Sequence, residues 1–116
     1  MKENFAPVEA SAVLDKVIAL PISRWNFNGD AATPHVGPMA QDFHAAFQTG
    51  SDDKHIATVD ADGVALAAIE GLNQKLESEN QALRAALEAK DAKITALVQR
   101  LAAARTSHPI SSKIKP

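Results

Sequence analysis

The chain has no cysteine and no tyrosine among its 116 residues, and a single tryptophan. Without thiols it can build neither a disulfide framework nor a thiolate metal site. Aromatic residues make up only 4% of the sequence. Trp25, Phe27 and Phe43 are not interleaved with basic residues, which argues against a base-stacking platform and for a place in the core. The formal net charge is −2, so no global field draws in nucleic acid or anionic lipid. Lys113 and Lys115 are too sparse to change that. No apolar run approaches the length of a membrane span, and the N-terminus lacks a signal-peptide pattern. Neither a nucleic-acid partner nor a membrane partner is expected.

Reactive constellations are equally scarce. His35, His44, His55 and His108 show no metal-ligand spacing, and Ser23 and Ser51 have no triad-like arrangement with the aspartates. Asp60-Ala61-Asp62-Gly63 resembles the start of a calcium loop. With Gly63 as the loop glycine, however, Thr58 takes the first ligand position and Ile69 the last, where a bidentate Glu is required. Helix capping by Asp60 and Asp62 explains the pair better. No cofactor and no metal are expected.

What the chain does have is a heptad seam. With Leu66, Asn73, Asn80, Leu87, Ile94 and Leu101 at position a, position d is filled by Ile69, Leu76, Leu83, Lys90 and Leu97. Eight of these eleven sites are aliphatic. A 3.5-residue repeat keeps one stripe facing a partner helix, so the pattern predicts a coiled coil. Asn73 and Asn80 fill successive a layers, which costs stability but fixes register. In a parallel arrangement Glu79 at g meets Arg84 at e of a neighbour. Leu72 at g and Val98 at e widen the stripe, which suits three or more strands better than two and leans toward a trimer.

Ahead of the seam the pattern is mixed. Pro7 to Leu20 reads as a helix stopped by Pro21. Ile22 to Phe27 reads as a strand entering the turn Asn28-Gly29-Asp30, with a short return strand at His35-Val36-Gly37. Pro38 to Phe47 has helical spacing through Met39, Phe43 and Phe47, and Ile56 to Val59 reads as a short β segment. The predicted fold class is α+β. A small mixed head of short strands and helices spans residues 1–60, a long coiled-coil helix spans 61–105, and a disordered tail spans 106–116. So short a head can hide only a thin core, and domains of that size often depend on oligomerisation.

The order of these pieces carries a resemblance. Lys2-Glu3-Asn4-Phe5 precedes a helix, and Ala19-Leu20-Pro21-Ile22-Ser23-Arg24-Trp25-Asn26-Phe27 follows it. Next come His35-Val36-Gly37-Pro38-Met39-Ala40-Gln41-Asp42-Phe43 and then Thr58-Val59-Asp60 entering the long helix. This resembles the C-terminal intramolecular chaperone domain of phage tail fibres and tail spikes, the endosialidase-type auto-processing domain. Trp25, His35, Gly37, Ala40 and Gln41 carry most of the match.

The resemblance implies a homotrimer that registers an upstream β-stalk of the same precursor in the host cytoplasm. It also implies release from the fibre by self-cleavage. The family's serine, followed by aspartate, lies five positions before a lysine that helps activate it, and Lys2 stands where that lysine belongs. Serine and aspartate would precede residue 1, so the chain by itself is expected to cleave nothing. A different reading is a plain oligomerisation or adaptor module whose head binds another protein.

Overall fold

The computed structural model describes residues 1–107; residues 108–116, most of the expected disordered tail, lie outside the described residues. Along the chain run α1 (Ala10–Ala19), β1 (Ser23–Trp25), β2 (His35–Gly37), α2 (Ala40–Phe47) and α3 (Thr58–Ser107). The chain divides into two units, Met1–Leu76 and the remainder from Glu77 onward. The expected succession of a mixed head and a long helix is what the structure shows.

In the first unit, α1 starts three residues later than Pro7. Ala6 offers no capping oxygen, and Glu9 remains extended as the N-cap, accepting from the Ser11 hydroxyl at 2.9 Å. The helix ends where Pro21 forces Leu20 into extended backbone. β1 and β2 pair antiparallel, with Ser23 opposite Gly37, Arg24 opposite Val36 and Trp25 opposite His35. The strand expected over Ile22 to Phe27 is thus three residues long. The Phe27 carbonyl accepts from the Asp30 amide at 3.0 Å, closing a turn in which Gly29 takes φ +84°.

α2 opens after Pro38 and closes on Gln48, which is left-handed at φ 53°. The Gln48 amide donates to the His44 carbonyl at 2.8 Å. The His44 ring nitrogen Nδ1 lies 3.1 Å from the Thr49 carbonyl and secures the same corner.

Three expectations need correction. Ile56 to Val59 is not a strand: Ile56 and Ala57 are irregular, and Thr58 begins α3. A strand there has no partner for its backbone groups, whereas the long helical run downstream extends by one hydrogen bond per residue once nucleated. Asp60 is consequently a first-turn residue favoured by the helix dipole, and Asp62 lies within the helix. Phe27, expected in the core, is 62% exposed.

The core is as thin as the short head implies. Among the described residues its buried apolar members are Ala10 and Leu14 of α1, Phe43 of α2 and Ala68 of α3. Phe43 and Phe47 set their rings 4.9 Å apart, and the end of α1 shares a groove with α2 through Lys16, Ala19, Ala45 and Ala46.

Candidate functional site: the two faces of the long helix and the aromatic hairpin

The first turns of α3 have two faces with different fates. On one face Ala68 and Gly71 are buried, and Ala61, Val64 and Ala67 are half-buried. Gly71 lies directly against α1: a Cβ there would run into the Ala10 carbonyl oxygen and sit 3.1 Å from the Leu14 Cβ. In heptad terms these are chiefly c and f positions. At 3.6 residues per turn, their centre lies about 160° around the helix from the a/d seam.

Within the first unit the head therefore takes the back of the opening turns of α3 and leaves the seam residues there open. Leu66, Ile69 and Leu76 in the first unit are exposed, as are Leu83, Leu87, Ile94, Leu97 and Leu101 in the second, all between 49 and 67%. Asn80 is exposed alongside them. Asn73 lies on the same line and already has an interaction within the chain. The two residues that widen the stripe, Leu72 and Val98, are exposed as well. These large aliphatic side chains recur at heptad spacing and are left in water, a pattern consistent with a coiled coil.

Sequence reasoning found the seam and missed its counterpart. Ala61, Val64, Ala68 and Gly71 repeat at intervals of 3, 4 and 3, a second heptad line made of small residues. The signal is present but weak, because alanine is common along the whole helix.

The hairpin supplies the other recognisable feature. Trp25 and His35 face each other across the strand pair with ring centroids 5.0 Å apart, and Phe27 packs edge-on at 4.9 Å from Trp25 and 5.3 Å from His35. Gly37 lies close by, since a Cβ on it would come to 3.9 Å from the indole Nε1 of Trp25. That nitrogen is buried and finds no acceptor among the described residues. A hollow of about 520 Å³ opens beside it, lined by Arg24, Trp25, Asn26, Ala31, Ala32 and Pro34.

Trp25, His35 and Gly37 thus form one cluster. Ala40 is half-buried at the first turn of α2, and Gln41 next to it is exposed. Lys2 is exposed in irregular backbone at the chain start. Among the described residues no three or more His, Asp or Glu side chains are grouped to hold a metal ion, and no helix is long and apolar enough to cross a membrane.

A small head packed on the opening turns of a long helix, with the apolar a/d residues of that helix exposed, is an architecture consistent with a coiled coil. Residues 1–50 match the family described as Chaperone of endosialidase. The match contains Lys2, Trp25, His35, Gly37, Ala40 and Gln41, and bears out the resemblance to the C-terminal intramolecular chaperone domain of phage tail proteins. It stops before α3, whose role rests on its own geometry. No curated protein and no solved structure matches the chain.

Proposed function

We propose that the chain trimerises in parallel through the α3 seam, sets the register of an upstream fibre or spike β-stalk, and is then released by Ser–Lys self-cleavage. The family match supports the chaperone role itself. The observation that carries the assembly step is the division of labour on α3, with Ala68 and Gly71 buried toward the head and the a/d residues exposed. Had the head covered the seam, association would have required it to let go.

The physical case for such a helper is kinetic. Intertwined β-stalks are dominated by non-local contacts and nucleate slowly. Chains already joined by a coiled coil meet at high effective concentration, so the three-body search becomes intramolecular. The Asn layers would pass a fixed stagger to the stalk. In the cleavage step the serine hydroxyl attacks the carbonyl of the peptide bond before it while the Lys2 amine takes the hydroxyl proton. The C–N bond then breaks, the serine nitrogen leaves carrying that proton, and water hydrolyses the ester so formed. A lysine takes such a proton near neutral pH once partly desolvated, so Lys2 would have to become covered when the upstream chain is in place.

Light scattering of the chain is expected to give three times the monomer mass, and a stable monomer would remove the assembly reading. A chain extended upstream by the Ser-Asp segment is expected to cut itself just before the serine, and Lys2→Ala to abolish the cut. An uncut extended chain with Lys2 intact would sink the protease half. The alternative, an adaptor whose head holds another protein, draws on the exposed Ile22, Phe27 and Val36 of the hairpin. It is favoured if the extended chain neither cleaves nor aids stalk folding.

A further inference from the structure

The seam contains one charged layer, and its charge is unanswered among the described residues. Lys90 occupies a d position between Leu87 and Ile94, and Asp91 follows at e. Side chains three and four residues apart on a helix are neighbours, while adjacent ones are not. The neighbours of Lys90 by that rule are Ala86, Leu87, Ile94 and Lys93, a like charge. Those of Asp91 are Leu87, Ile94, Thr95 and Glu88, again a like charge. Both residues are exposed, and among the described residues neither takes part in an ion pair. Each charge therefore sits in an unfavourable place on its own helix.

A second copy in register sets Lys90 near its own equivalent, a further like charge, and also supplies an acidic partner for each lysine. In a parallel coiled coil a d side chain inserts among the a, d and e residues of the facing helix, which brings Lys90 of one chain beside Asp91 of the next. The flexible lysine stem covers the apolar seam while its ammonium reaches the flank where Asp91 lies. Asp91 is free for this role, because the g residue that would otherwise face it across the interface is Ala86.

We propose that Lys90 and Asp91 form an intersubunit ion-pair layer that selects parallel, in-register association of α3. A slip by one heptad sets Lys90 beside Arg84 or Val98 instead, exchanging an opposite charge for a like one or for none. The layer thereby penalises the slips that a seam of repeated leucines would otherwise tolerate. This inference rests on the parallel association proposed above.

The test uses the full chain with Lys90→Glu and Asp91→Lys, singly and together, followed by thermal unfolding and light scattering. Each single substitution juxtaposes like charges and is expected to lower the melting temperature by roughly 4–8 °C. The double substitution restores the opposite-sign pair and is expected to recover more than half of the summed loss. In a Lys90→Ala background, Asp91→Lys should cost much less than it does alone. Additive losses in an assembled protein would overturn the ion-pair layer and leave the association standing. A wild-type chain that stays monomeric at all concentrations would overturn the association, and this inference with it.

Discussion

Gly71 of α3 meets the Ala10 carbonyl of α1 at a distance that leaves no room for a side chain. That contact holds the head on the back of the long helix. It predicts opposite outcomes for two glycine substitutions in the same helix.

Alanine is the better helix former by about 1 kcal/mol. At Gly63, where an added Cβ meets nothing within 4 Å, Gly63→Ala should stabilise the chain by about 0.5–1 kcal/mol. At Gly71 the methyl meets backbone, which cannot swing aside as a flexible side chain can. Gly71→Ala should therefore destabilise the first unit by about 1–3 kcal/mol. Thermal unfolding followed by Trp25 fluorescence distinguishes them; equal shifts of the same sign would contradict the close packing.

Phe43 is 5% exposed and is the largest buried side chain of the head. Replacing it with alanine should cost about 3–5 kcal/mol, more than so thin a core can lose. The expected result is a red-shifted Trp25 emission and loss of near-UV circular dichroism, with most of the far-UV helical signal of α3 retained. An unchanged Trp25 emission would show that the hairpin does not depend on that core.

Asn80→Leu replaces a polar a layer with an apolar one. If the seam is occupied by other copies, melting temperature should rise while the oligomer number or register becomes mixed, as read by light scattering. A fall in melting temperature would overturn the register role of this layer.

The Asp52 carboxylate accepts from the Lys54 amide at 2.9 Å, the His55 amide at 3.1 Å and the His55 ring at 3.3 Å. The Lys54 amide, followed by the His55 ring, holds its pKa below the ordinary 3.8. The turn's stabilisation is then fully present above that ordinary value and lost as pH falls through the depressed one. NMR should show the Lys54 and His55 amide resonances titrating together at a pH below the ordinary carboxylate midpoint. Asp52→Asn should remove that titration.

Much of this was legible in the sequence because it is periodic or locally coded. The seam from Leu66 to Leu101 needs only a count of sevens. Pro21, Gly29 and the Gln48-Thr49-Gly50 corner mark their own boundaries through backbone restrictions. Ile56 to Val59 misled because β-branched residues predict a strand only where another strand is available to pair. Phe27 misled because apolar character does not guarantee a partner in so small a head.

By itself, then, the sequence determined that α3 is a long helix with one apolar stripe, broken by Asn73, Asn80 and Lys90. Residue type at fixed spacing is enough to establish such a stripe. Only the tertiary structure decided which face of that helix the head covers. That choice depends on the close approach of Ala10 to Gly71, a contact across 61 residues of chain that no local pattern encodes. Because the head settled on the small-residue face, the seam residues of those opening turns, Leu66 and Ile69, stayed exposed.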